Sequence, residues 1–280
     1  MPNNKQIFSE IEQLEDSYKN AQFNLTTGSP KLENSSNNYE DFWIRSIGPS
    51  LYKKFVEDYT KKMWVINDNK EIDDFSWSPK GVAIKKGPRA GWDTAISAYP
   101  EANDGYNKFF DNALLKVNQH YQTIVKSVNH NSLIANINEE QLKYDLIINT
   151  APLDDLYNDF HGKLKYIGRR IEFVILPTEY CLPENVYFTY YTGKEDYTRI
   201  VEYKKFSQYK SANTLISLEY PDLNAGKYYP MPSEPFRVQH KKYLDLCHEN
   251  FHNAGRIALY NYRFDIDDVI EQVLLITDNL

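Results

Sequence analysis

Two cysteines, Cys181 and Cys247, are all that the 280 residues contain, and they stand far apart. No disulfide framework and no metal-ligand spacing can be written from such a pair, so a reducing compartment is the simplest setting and no metal site is assigned. Glycine is scarce too: none of the 11 falls in a G-x-G-x-x-G arrangement, so a glycine-rich dinucleotide cradle is missing from the sequence. No apolar run reaches membrane-spanning length. The amino terminus, Met1-Pro2-Asn3-Asn4-Lys5, leads into a polar amphipathic stretch rather than a secretory signal, which makes a cytoplasmic location the expectation. Excess positive charge is absent as well. With 32 Lys and Arg against 39 Asp and Glu, the net charge of −7 gives no support to generic nucleic-acid or membrane affinity, though it permits a local basic pocket. Internal repeats are not found.

What the chain has in quantity is aromatic residues, with 23 tyrosines among them. Such rings suit stacking on bases and hydrogen bonding to sugar hydroxyls, and equally suit an ordinary core. At 280 residues the chain is long enough for one large domain or two.

Residues 6–20 space Ile7, Ile11, Leu14 and Tyr18 as a short helix, and 24–40 read as a polar loop. From Asp41 to Trp64, Leu51, Tyr52, Phe55, Val56 and Tyr59 form a helical face, with Pro49 placed in a first turn. Phe55, Tyr59 and Trp64 could make a shelf for a flat base, with Lys61 and Lys62 near attached phosphates; packing as core is the competing reading. Residues 65–105 lack periodicity and read as a lid or a solvated basic loop, carrying Lys80, Lys85, Lys86 and Arg89. Tyr106–Lys116 reads as a helix. Short strands are expected at Thr123–Val128 and Leu133–Ile137, and a buried strand from Tyr144 ending in a turn at Pro152. Residues 162–176, 186–191, 198–204 and 214–219 alternate β-branched and aromatic residues with polar ones, which predicts a mostly antiparallel sheet. A helix over Lys241–Asn250 and a strand over 254–260 precede the final segment. There Asp265, Asp267 and Asp268 stand before Val269, Ile270, Val273 and Leu274 at helical spacing, which reads as loop, cap and helix. Arg256, Tyr260 and Tyr262 just upstream could meet an anion at that helix start, or the helix could simply close a core.

Taken together, Tyr197-Thr198-Arg199-Ile200-Val201-Glu202, Leu218-Glu219-Tyr220, Tyr228-Tyr229-Pro230 and Gly255-Arg256 with Tyr262 and Asp265 resemble, in order and approximate spacing, the UDP-galactopyranose mutases. These flavoenzymes interconvert the pyranose and furanose forms of UDP-galactose. Phe55-x-x-x-Tyr59-Thr60-x-x-x-Trp64 is similar to that family's uridine-binding helix, and Gly105–Phe110 and Tyr144–Asp154 also look like family segments. The resemblance implies an α/β (α+β) fold: a remnant of an FAD-linked Rossmann-like domain, a helical substrate-binding insertion and an antiparallel sheet domain. It further implies that Phe55, Tyr59, Thr60 and Trp64 hold the uridine, that Arg199, Tyr229 and Tyr262 clasp the diphosphate, and that Lys80 stands in for a mobile-loop arginine. Arg199, Glu219, Tyr229 and Arg256 become the catalytic candidates, and Arg256, Tyr262, Asp265 and Ile266 those beside reduced FAD. Departures are specific. Tyr190 replaces the asparagine of an N-Y-T motif, one extra residue separates Tyr262 from Asp265, and the chain starts past the family's glycine-rich unit and its flavin-facing histidine.

The expected layout is a helix and linker over 1–40, a helical uridine-binding region over 41–118, partial flavin-domain strands over 119–160, the sheet domain over 161–237 and a return to the flavin domain over 238–280. The function so implied is an isomerase of UDP-sugars, as in galactofuranose supply for cell-surface polysaccharide. The alternative is a truncated, non-catalytic UDP-sugar binder. Expected partners are the UDP-sugar, a second copy in a homodimer and a separate flavin-binding segment, with neither nucleic acid nor membrane.

Overall fold

The computed structural model describes residues 38–73, 99–102 and 104–278. The helix expected over 6–20, most of the linker, and the basic segment with Lys80, Lys85, Lys86 and Arg89 lie outside them.

In chain order the elements are α1 (Tyr39–Tyr52), a π-helical turn (Lys53–Glu57), α2 (Asp58–Trp64), a 3₁₀ turn (Asn69–Glu71) and α3 (Asn107–Ala113). There follow β1 (Val125–Asn129), β2 (Ile134–Ile137), β3 (Glu140–Lys143), β4 (Ile147–Asn149), α4 (Leu153–Leu156) and β5 (Tyr166–Leu176). The remainder is β6 (Phe188–Tyr190), β7 (Arg199–Glu202), α5 (Lys204–Ser207), β8 (Thr214–Asp222), β9 (Tyr229–Pro230), α6 (Glu234–Leu244), β10 (Phe251–Asn253), α7 (Gly255–Ala258) and α8 (Ile266–Asp278). The described residues divide into two compact units, the first drawing on 38–71, 99–102, 104–117 and 170–221, the second on 72–73, 118–169 and 222–278.

In the first unit, α1 begins earlier than the sequence suggests. Asn38 accepts from the Asp41 N–H at 2.9 Å, Glu40 and Asp41 favour the helix start, and Tyr39, Phe42 and Trp43 are buried. Pro49 therefore lies inside the helix, not in its first turn. Its missing N–H is followed within a turn by the π-helical segment, which joins α1 to α2. Asn69 is buried and donates to the Tyr52 hydroxyl at 2.6 Å and to the Glu57 carbonyl at 3.2 Å, tying the 3₁₀ turn to the end of α1 and to the π-helical turn. Strands β6, β7 and β8 run antiparallel, with β5 beyond β8.

In the second unit, β1, β2 and β3 form an antiparallel meander, and β4 and β10 a parallel pair with Ile147 opposite Phe251 and Asn149 opposite Asn253. Tyr166 and Ile167, at the start of β5, pair with Pro230 and Tyr229 of β9. Its core joins Leu133, Leu153, Leu156, Leu164, Tyr166, Tyr243, Phe251 and Tyr260. The strand expected over 254–260 is instead the short helix α7. Gly255 turns the chain at φ +82°, which ends the extended run at Asn253. The helix expected from Lys241 starts at Glu234, led by Pro235 in its first turn. The loop, cap and helix reading of the last segment holds: the Asp268 carboxylate accepts from the Asp265 N–H at 2.8 Å. That helix closes no core, because none of its side chains is buried.

Candidate functional site

The first unit gathers several anticipated residues on one sheet face. The strand register sets Tyr190 opposite Arg199 and Arg199 opposite Glu219, so the three lie in a row across β6, β7 and β8. The Arg199 Nη2 donates to both Glu219 oxygens, at 2.9 and 2.8 Å. Its guanidinium lies 5.7 Å from the Phe188 ring centroid and 5.9 Å from that of Tyr190. Burial opposes the Arg199 charge, but the hydrogen bond and the negative charge of Glu219 outweigh it and hold the pKa above its ordinary value. Glu219 is nearly enclosed, with 9% of its side chain exposed, whereas Arg199 keeps 31%. The pair is thus a carboxylate sealed beneath a cation that still reaches the surface.

Helix α2 supplies the next layer. Tyr59, half-buried, meets Tyr190 edge to face at 5.8 Å, and Tyr190 meets Phe188 at 5.4 Å. Phe55, on the π-helical turn, is also half-buried. Trp64 and Thr60 are not on this surface: at 1% and 2% exposure both are packed inside. The apolar spacing that suggested a shelf is, for those two, the spacing of a core face. Lys61 and Lys62 are likewise not poised for phosphate. Lys61 pairs with Glu57 at 3.2 Å, one turn back, and the Lys62 ammonium is folded onto backbone carbonyls of residues 191–195.

The second unit gathers the other half of the anticipated set. The Tyr229 and Tyr262 rings lie 5.6 Å apart; Arg169 covers the first at 4.7 Å and Arg256 the second at 4.7 Å. Arg256 donates to the Phe264 carbonyl from Nε at 3.2 Å and Nη2 at 2.9 Å, and lies 3.6 Å from the Asp265 carboxylate. Asp265 and Ile266 are exposed at the start of α8. Beside Tyr262 a cavity of about 320 Å³ is lined by Pro230, Arg237, His240 and Tyr260 among others. Arg169 escaped the reading of the sequence; the signal was there in Gly168-Arg169-Arg170, adjacent arginines inside a largely apolar strand.

Asp154, Asp155 and Asp159 bring their carboxylates within 4.8 Å of one another. Lys227 answers that charge, with its ammonium 2.7 Å from both Asp154 and Asp155. Burial opposes the lysine's charge, but its bonds to the two carboxylates prevail and raise its pKa, so the cluster is an internal ion pair.

A protein-family model described as GLF: UDP-galactopyranose mutase matches residues 54–262, well over half of the chain. A probable UDP-galactopyranose mutase of Klebsiella pneumoniae is 24% identical over 246 residues, which is 86% of this chain and 60% of the relative. A dTDP-fucopyranose mutase of Escherichia coli is 26% identical over 253 residues, or 86% of this chain and 63% of the relative. The chain therefore spans under two thirds of the length of these curated relatives. A crystal structure of reduced UDP-galactopyranose mutase shares the fold, with a TM-score of 0.68 at 15% identity over 97% of this chain and 72% of that one. Among the described residues no helix is long and apolar enough to cross a membrane.

Proposed function

The chain belongs to the UDP-galactopyranose mutase family, and on that premise we propose that it binds a nucleoside diphosphate sugar and takes part in interconverting the pyranose and furanose forms of the sugar. The observation that carries the reading is the row Tyr190, Arg199, Glu219 with Tyr59 against it. An arginine that stays charged, flanked by rings, suits a diphosphate joined to a base. In this reading Phe55 and Tyr59 meet the base, Arg199 takes a phosphate oxygen and balances charge on the departing nucleotide, and Glu219 lies toward the sugar. Tyr229 and Tyr262 offer phenol donors to an oxyanion on the second unit. Lys80 keeps its proposed part as a charge on the basic segment.

Reduced FAD is the cofactor the family implies, and Arg256, Tyr262, Asp265 and Ile266 are its candidate contacts. The described residues do not fit a flavin dinucleotide by themselves. Arg256 turns its Nε and Nη2 to the Phe264 carbonyl and lies 3.6 Å from the Asp265 carboxylate, and the start of α8, where a pyrophosphate would need unopposed N–H groups, carries Asp265, Asp267 and Asp268. The same misfit favours the second reading, a homologue that holds a nucleotide sugar without turning it over.

Calorimetric titration with UDP and with dTDP tests the proposal, both because the two curated relatives are named for different nucleotides. Binding of at least one is expected, and Arg199→Ala weakens it by roughly 2 kcal/mol. Wild-type protein that binds neither overturns the reading. Flavin absorbance of the purified protein, and activity with added flavin and reductant, separate the enzyme from the binder.

A further inference from the structure

Lys62 has a role that the base-and-phosphate reading of its helix does not supply. Its Nζ lies 3.0 Å from the Tyr191 carbonyl, 3.0 Å from that of Gly193 and 2.6 Å from that of Glu195. An ammonium has three donors and no acceptor, so three carbonyls saturate it. These carbonyls belong to the loop between β6 and β7, while Lys62 sits in the last turn of α2. The clasp thus fixes a loop to a helix, and the residues on either side of the clasp are the ones the nucleotide reading needs. Tyr190 precedes the first clasped carbonyl and packs on Tyr59, one turn before Lys62; Arg199 follows the loop. Within the loop, Tyr191 and Tyr197 rings meet at 4.7 Å, and the Tyr191 N–H donates to the Thr198 carbonyl at 2.9 Å.

We propose that Lys62 is a positioning residue for nucleotide recognition: by holding the carbonyls of Tyr191, Gly193 and Glu195 it sets Tyr190 against Tyr59 and beside Arg199, without touching the nucleotide. This deepens the proposed function and rests on it. The amine works because it is charged and enclosed by carbonyls. Burial lowers its pKa, while Glu195, Asp196 and Asp58 nearby act to keep the proton on. A loop left to itself spends its backbone groups on water and samples other shapes, and a base-binding surface loses affinity when its supporting shell loosens.

The test compares wild type with Lys62→Met, which keeps the aliphatic stem and removes every donor, and with Lys62→Arg, which keeps the cation. Hydrogen exchange of residues 188–199 is measured without nucleotide, and UDP and dTDP affinity by calorimetry. In Lys62→Met the loop exchanges faster, the melting temperature stays within a few degrees of wild type, and affinity drops roughly tenfold, the order expected when charge-assisted bonds that organise a site are lost. Lys62→Arg recovers most of the affinity. Inorganic phosphate, which needs no ring surface, binds wild type and Lys62→Met alike. Should Lys62→Met not fold, Lys62→Leu, which also lacks every donor, carries the same expectations. Unchanged exchange, or faster exchange with wild-type affinity, overturns the proposal. Wild-type protein that binds neither nucleotide removes the functional reading itself, so that failure is distinguishable from failure of the clasp.

Discussion

Glu202 is fully buried, and a carboxylate survives there only because each oxygen has a donor. It accepts from the Cys181 N–H at 2.8 Å, the Leu182 N–H at 2.9 Å and the Thr214 hydroxyl at 2.7 Å, with the Lys205 ammonium at 3.6 Å. Burial raises its pKa, but these bonds and the Lys205 charge outweigh it, so the folded value lies below the ordinary one. Lys205 in turn donates to the carbonyls of Leu182, Pro183 and Glu184. Glu202→Gln puts an amide where only acceptors fit and leaves Lys205 buried without its carboxylate. We expect a loss of about 3 kcal/mol in chemical denaturation, the scale for breaking a buried pair on one side. Little of this was legible in the sequence. Arg199 and Glu219 stood out because they belong to motifs with a recognisable order, and Tyr59 because it lies on a patterned helix. Glu202 stands in the same motif as Arg199 and Lys62 reads as a phosphate contact, yet the partners of both, like those of Lys205, depend on the path of the loops at 181–184 and 191–195, which the sequence pattern does not show. Trp64 failed in the opposite direction, since a core tryptophan and a stacking tryptophan share one helical spacing.

Among the elements, β5 to β8 were readable because β-branched and aromatic residues are concentrated in each run, although β5 is buried only over Tyr166, Ile167 and Gly168 and β7 only over Val201 and Glu202. β3 was not, for Glu140–Lys143 is exposed along its length and forms a strand only because β2 offers it a partner. The π-helical turn and the start of α6 depend on where Pro49 and Pro235 fall within a helix, which spacing of apolar residues does not fix. Strand β5 also contains a very close backbone approach. A Cβ on Gly168 would lie 2.4 Å from both the carbonyl carbon and the oxygen of Ala225. Backbone cannot swing aside as a side chain can, and the Arg169 N–H bond to that same oxygen at 3.3 Å would have to open. Gly168→Ala is expected to destabilise the second unit by about 2 kcal/mol or more, the usual range for forced overpacking. Gly105→Ala, whose Cβ among the described residues meets the Tyr99 hydroxyl at an ordinary 3.8 Å, would owe its cost to its positive φ and serves as the comparison. Equal melting temperatures for the Gly168 variant and wild type would contradict the close approach.

On the scale of the whole molecule, the two units carry acid-sensitive groups that titrate in different windows. In the second unit His240 is buried, with its Nε2 2.8 Å from the Ala258 carbonyl and its ring stacked on Tyr260 at 5.5 Å. Burial lowers its pKa below 6.5, against a smaller opposing pull from the Ala258 bond and the Asp154 charge. A histidine held neutral by the fold takes up its proton more readily when unfolded. The unfolded state therefore binds more protons as pH falls past 6.5, and the stability His240 contributes is present above that value and lost below it. His130, lowered first by burial and then by His248, acts in the same direction. In the first unit Glu202 is depressed below its ordinary 4.5, so its contribution is complete above 4.5 and is lost as pH falls from there toward the lower folded value. Acidification from pH 7 is expected to open the molecule in order. Hydrogen exchange should quicken across α6 and α7 once the pH falls below about 6.5, while β7 and β8 keep their protection until below about pH 4.5. His240→Phe should flatten the first step and Glu202→Gln the second. Loss of protection in β7 and β8 before α6 would show that burial of these groups does not govern the acid response.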